Sequence, residues 1–230
     1  MKVATLISAD AEWQAARQLL LDAHIVATPF GESFEHGGTT YFQGGWGKVS
    51  AAASAQYVID RLKPDLLVNL GTCGGFEGRI ERGTIILVEK TIVYDIIEQM
   101  TDGSEELAFY TTKLDLSWLP HVLPFPVLRG MLISGDRDIV AADIPALVKK
   151  HDAVAADWES AAIAWTAKRN GAHVLILRGV SDLVGENGGE VYGDYALFIQ
   201  RTREIMKKLI EQLPKWLEAI EKVGQGFRGY

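Results

Sequence analysis

Short, mainly apolar runs recur along this chain, and each gives way to small or acidic residues before a helical pattern begins. Val3–Ile7 leads to Asp10 and Glu12, and residues 66–69 lead to Gly71-Thr72-Cys73-Gly74-Gly75. Ala153–Asp157 leads to Trp158 and Glu159, and residues 174–180 lead to Ser181 and Asp182. A strand that is apolar on both faces must be covered on both faces, as in a sheet lying between helices. The alternation predicts an α/β protein, a single-domain three-layer α/β/α unit over residues 1–230 with a central mixed sheet.

Helical spacing fills the intervals. Trp13, Ala16, Leu19 and Leu20 share one face of a helix expected over 12–21, and further helices are expected over 48–62, 159–170 and 194–220. Pro214 marks a site for a kink in the last. Turn signals at 31–33 and Gly37-Gly38 flank strand-like segments 24–29 and 39–43, which reads as a meander. Further strands are expected over 84–93 and 127–134, and 181–190 reads as a Gly-rich loop. Residues 97–125 show no clear period and suit a lid or a subunit contact. Residues 221–230 read as a flexible polar tail.

Charge narrows the partners. A net charge of -7 without a Lys/Arg cluster excludes a nucleic-acid backbone as the expected partner, because that affinity rests on phosphate neutralisation. Asp10 and Glu12 interrupt the first apolar run before it reaches the length of a signal-peptide core or a membrane span, so a cytoplasmic protein with no membrane partner is expected. Cys73 is the only cysteine and the five histidines lack metal-ligand spacing, so no metal is expected.

The polar segments that end the strands can converge on one crevice, and carboxylates would dominate it. Asp182 reads either as a cap for a turn or helix or as a general acid with a pKa raised by burial. Purine leaves poorly as an anion, so cleavage of a glycosidic bond needs a proton delivered to the base. Glu12 reads either as an acid favoured by a helix N-terminus or as the base that polarises an attacking water. Glu159 suits a cap or an acceptor for ribose hydroxyls, and Asp157 a solvated or structural role. Trp46, Trp158 and Tyr192 suit packing as well as a ligand wall. Cys73 reads as a small buried filler beside Thr72 and Gly74 rather than a nucleophile, since no His is placed to activate it.

Five segments occurring in a family's order and near its spacing make the pattern specific. They are Ser8-Ala9-Asp10-Ala11-Glu12, Asn69 to Gly75, Ser134-Gly135-Asp136, Asp157-Trp158-Glu159-Ser160-Ala161-Ala162-Ile163-Ala164, and Arg178-Gly179-Val180-Ser181-Asp182. Over about residues 1–213 the chain resembles the 5'-methylthioadenosine/S-adenosylhomocysteine nucleosidases, within the purine nucleoside phosphorylase and uridine phosphorylase superfamily. The resemblance implies a nucleoside phosphorylase-like fold, a nucleoside substrate, no cofactor and a homodimer. It implies that Asp182 protonates adenine, Glu12 activates water and Glu159 holds the ribose. It places Arg178 near that water, Thr72 by the sugar with Cys73 and Gly74 among the substrate-binding residues, Ser181 against Asp182, and Ile139 beside the adenine edge. Tyr192 and Trp46 fall at the 5' substituent. The chain departs from the family at Trp158, where methionine is usual, at Asp138, where a stacking phenylalanine is common, and over 97–125.

Two carboxylates in the first loop suit a water nucleophile and repel a phosphate dianion, so hydrolysis of 5'-substituted adenosines outranks phosphorolysis. A phosphate-dependent phosphorylase, a futalosine-type nucleosidase and a non-catalytic nucleoside-binding protein are the alternatives.

Overall fold

A computed structural model describes residues 1–20 and 24–226. It opens with β1 (Val3–Ile7), buried throughout, and turns directly into α1 (Asp10–Leu19); Leu21, the expected end of that helix, lies outside the described residues. β2 (Val26–Thr28), β3 (Gly31–His36) and β4 (Thr39–Gln43) then pair antiparallel in succession. The meander is present, but Gly31 to Ser33 open β3 and the turn falls at Pro29 and Phe30.

α2 (Gly47–Leu62) leads to β5 (Leu66–Phe76), where the expected small-residue loop at 71–75 is strand instead. Partners on both sides explain the difference. A later strand runs parallel to β5 from Leu67 to Phe76, and another pairs antiparallel with Gly74 and Gly75. The glycines serve close packing rather than turning, since a Cβ at Gly75 would lie 2.7 Å from Ile80 and Val180.

β6 (Ile85–Val93) precedes the unassigned stretch, which contains α3 (Ser104–Phe109) and β7 (Thr111–Lys113), the latter paired to β6. Leu116, Trp118, Leu119, Leu123 and Phe125 pack on the main core, so this half of the segment belongs to the packed body. β8 (Leu128–Ser134), α4 (Ile144–His151), β9 (Ala153–Asp157) and α5 (Ser160–Arg169) follow. β10 (Val174–Gly185) runs five residues past its expected end into the supposed Gly-rich loop and turns back as β11 (Gly188–Gly189).

α6 (Tyr195–Gly226) passes through Pro214 as one helix. Leu209, Leu213, Trp216 and Ile220 form one buried stripe across that position. Burial of each such side chain is worth about 1.5–3 kcal/mol, which together outweighs the roughly 3 kcal/mol cost of an internal proline. The tail expected from residue 221 is therefore helix to Gly226, and residues 227–230 lie outside those described.

The sheet is mixed, and part of it closes on itself. β10, β6, β8, β9 and β5 form a ring, because β5 pairs with both β9 and β10, and β1, β4, β3 and β2 extend outward from β5. α1 and α6 cover one face through Trp13, Ala16, Met206, Leu213 and Trp216. α2 and α5 cover the other through Ala51, Ala55, Val58, Ile163 and Ala167, and the three alanines let helix and sheet approach closely. This is the α/β/α arrangement expected, with the ring as its centre.

Gly179 in β10 faces Ile205 of α6, and a methyl group there would overlap the isoleucine side chain and come within 3.2 Å of Ile85. Gly179→Ala should lower stability by about 1–3 kcal/mol through overpacking. Gly224→Ala, in α6 with nothing near its Cβ position, should be neutral or stabilising. Urea unfolding midpoints of the two variants give the comparison.

Candidate active site

The first, fifth, ninth and tenth strands deliver their acidic and small residues to one cavity of about 620 Å³. Glu12, Trp46, Thr72, Cys73, Gly74, Ile139, Trp158, Glu159, Ser181, Asp182 and Tyr192 all line it. Of the residues expected from the sequence, Arg178 alone does not.

Arg178 lies beneath the cavity floor, wholly buried. Its Nε donates to Ser160 Oγ at 2.8 Å and stands 3.0 Å from Asp157 Oδ2, while Nη2 donates to Asn69 Oδ1 at 2.9 Å. Glu12 Oε1 lies 3.6 Å from Nη1, and Glu159 Oε2 lies 3.8 Å from Nη2. The planar fork of arginine suits several acceptors at fixed directions. Only glycine fits at position 71, because a Cβ there would occupy the space of the guanidinium and lie 2.8 Å from Glu12 Oε1. Arg178 is joined to the cavity lining through Glu12 and Glu159.

Asp157 is structural. Its carboxylate accepts from Ser134 Oγ, Ser160 Oγ and, at 3.2 Å, the Ser160 amide, besides pairing with Arg178. Glu12 is the third residue of α1, and the tight strand-to-helix junction turns it back over β5. Its Oε1 accepts from the Thr72 amide at 2.5 Å and the Thr72 hydroxyl at 2.8 Å, and Oε2 from the Ala9 amide at 3.3 Å. Thr72 thus orients the glutamate as well as lining the cavity.

Asp182 sits inside β10, not after it. The register against β5 slips between Val180 and Asp182, which presents the carboxyl to the cavity. Burial pushes its pKa up from the ordinary carboxylate value, opposed by the Ser181 hydroxyl, which donates to Oδ1 at 2.7 Å. Glu159 precedes α5, and its Oε1 accepts from the Gly47 amide at the start of α2 at 3.1 Å. Burial, with Asp157 and Glu12 adding, raises its pKa to about 8 despite Arg178 and that amide. Burial likewise raises the Cys73 thiol well above its usual range, with the surrounding acids reinforcing it, which leaves no thiolate nucleophile.

The remaining wall is aromatic. The Tyr192 hydroxyl donates to the Ile139 carbonyl at 3.1 Å, and Trp46 and Trp158 stand at the mouth. Tyr195 and Phe198, at the start of α6, complete this wall and were not anticipated. Their i, i+3 spacing at the head of a helix was the available signal.

Glu159 has a measurable consequence. Between its ordinary value of 4.5 and about 8 the folded protein keeps a proton that the unfolded chain has released, so this group lowers stability as pH rises through that window. Glu159→Gln removes the contribution. The stability difference between variant and wild type, from urea unfolding at a series of pH values, should move in the variant's favour across the window and level off above it.

The chain matches the phosphorylase superfamily over residues 30–213. The 5'-methylthioadenosine/S-adenosylhomocysteine nucleosidase of Staphylococcus aureus (strain MRSA252) is 27% identical over 183 residues, covering 74% of this chain and 78% of its own. That of Buchnera aphidicola is 25% identical over 187 residues with the same coverage. Among solved structures, the fold is similar to the Neisseria meningitidis nucleosidase bound to methylthio-immucillin-A, with a TM-score of 0.74 and 21% identity over 94% of this chain and 99% of that one.

Proposed function

The chain belongs to the phosphorylase superfamily, and on that premise we propose that it is a cytoplasmic nucleosidase that hydrolyses the N-glycosidic bond of 5'-substituted adenosines such as 5'-methylthioadenosine and S-adenosylhomocysteine. The carrying observation is the pair of buried acids in one cavity with different surroundings. Burial favours the protonated form of Asp182, while Glu12 is ringed by hydrogen-bond donors.

In this reading Asp182 gives its proton to the adenine as the bond from the anomeric carbon to the base breaks. A water held by Glu12 adds its oxygen to the anomeric carbon and passes a proton to Glu12. Glu159 accepts from the ribose hydroxyls, and the aromatic wall covers the 5' substituent. Arg178 and Thr72 keep Glu12 in place.

Water is favoured over phosphate by the charge of the cavity. Arg137, the cation in the lining, is paired with Asp143 at 3.3 Å, and Arg178 is enclosed by three carboxylates. A phosphate dianion would meet the Glu12 carboxylate, and among the described residues the lining offers it no cation without an acidic partner. Exposed Trp46, Val49 and Tyr195 suit contact with a second copy in the homodimer that we propose as the assembly.

Adenine release from 5'-methylthioadenosine, with and without inorganic phosphate, tests the reading. Free methylthioribose at a phosphate-independent rate is expected, and strict phosphate dependence with a sugar 1-phosphate product would overturn it. Asp182→Asn should lower kcat by about 10²–10⁴-fold with nucleoside affinity largely kept, and Glu12→Gln should also cut kcat. Full activity in either variant would remove that residue from the mechanism.

A further inference from the structure

Glu190 stands eight residues after Asp182, just past the short strand β11, and it does not line the cavity. It nevertheless engages both main-chain groups of Leu183, the residue next to the acid. Its Oε2 accepts from the Leu183 amide at 3.0 Å, and its own amide donates to the Leu183 carbonyl at 3.0 Å. The site of this clasp matters, because β10 has just slipped out of register with β5 and the ladder there is irregular.

The same oxygen accepts from Arg201 Nη1 at 2.8 Å, and Arg82 donates to the carboxylate at 3.2 Å. One carboxylate thus joins the strand carrying Asp182 to α6 and to the turn before β6. Arg201 lies one turn beyond Phe198, a residue of the cavity wall, and its side chain is only 15% exposed. An ordinary exposed ion pair contributes about 0–1 kcal/mol. Here the shared oxygen gives the pair a positional role that its energy alone does not convey.

We infer that Glu190 is a positioning residue for Asp182, holding the strand segment that presents the acid and screening that acid from the Arg201 guanidinium. The inference rests on the reading of Asp182 as the proton donor. The groups facing Asp182 are Arg201 from α6, Glu190 from the segment after β11, and Asp138 from the loop after β8, with Cys73, Tyr192 and the Ser181 hydroxyl also close. Arg201 draws Asp182 toward its ionised form, and Glu190 and Asp138 oppose it. Neutralising Glu190 leaves Arg201 unbalanced, so Asp182 should lose its proton at lower pH; neutralising Arg201 should do the reverse.

The experiment follows the Asp182 carboxyl by carbon-13 NMR, assigned as the resonance lost in Asp182→Asn, in wild type, Glu190→Gln and Arg201→Gln. The pH dependence of kcat is measured on the same proteins. Glutamine keeps an acceptor for the Leu183 amide, so Glu190→Gln tests charge with little loss of fold. The Asp182 midpoint should move to lower pH in Glu190→Gln and to higher pH in Arg201→Gln, with the alkaline limb of kcat following each. Glu190→Asp, which keeps the charge but shortens the reach, should lower kcat about tenfold with the limb little moved. Unmoved midpoints, or movement in the same direction in both glutamine variants as a general loosening would give, overturn the inference. Opposite shifts in a protein that releases no adenine would support the role of Glu190 and sink the hydrolase reading.

Discussion

A single buried guanidinium holds the centre of this molecule together. Arg178 has no water to solvate it, so its charge is tolerable only because Asp157, Glu12 and Glu159 converge on it and Asn69 and Ser160 take further N–H groups. Those partners come from four places in the chain: the head of α1, the middle of β5, the end of β9 and the start of α5. Each must arrive in register for the charge to be compensated. Removing the arginine would leave several carboxylates buried without a partner, and removing one carboxylate would shift the burden to the rest. The cluster is therefore a constraint on topology as much as a local contact.

The cavity above it divides its acids by environment. Asp157 is consumed by structure, Glu12 is held by Thr72 and a main-chain amide, Glu159 is caught between burial and Arg178, and Asp182 is placed away from the cluster against a hydroxyl. Four carboxyl groups of the same chemical type thereby acquire different tasks. The separation rests on backbone details, notably the first turn of α1 and the register slip in β10.

The starts of the strands were legible because a run such as Val174 to Leu177, apolar on both faces, has few alternatives. Their ends were not. Gly71 to Gly75 and Ser181 to Gly185 carry the small and polar residues of turns, yet each continues as strand because the other is its partner across more than a hundred residues of chain. Local composition cannot register a partner that distant. About half of the cavity lining was legible, chiefly where strand-end acids and small residues signal it. The setting of Arg178 was hidden for a related reason: its position in an apolar run is visible, but the convergence of three carboxyl groups on it is a property of the assembled sheet. The aromatic wall from Tyr195 and Phe198 and the clasp by Glu190 were missed because they depend on how α6 docks. At Pro214 the helix continues because the buried stripe around it outweighs the lost hydrogen bond.

Closure of the five-strand ring also governs when the cavity can come into being. β5 and β10 are its adjoining staves, and between them the chain must lay down β6, β8 and β9. A polypeptide emerging from the ribosome can form β1, α1 and the meander early, but the ring stays open until the residues of β10 are available. Glu12, Thr72 and Glu159 are all synthesised before Arg178, the cation that neutralises their neighbourhood. The nascent chain consequently passes through a long interval with its acids uncompensated and its cavity unmade, and the last strand of the ring brings in the guanidinium and Asp182 together. The cavity thus cannot form before β10 has been made, and its aromatic wall follows with the head of α6.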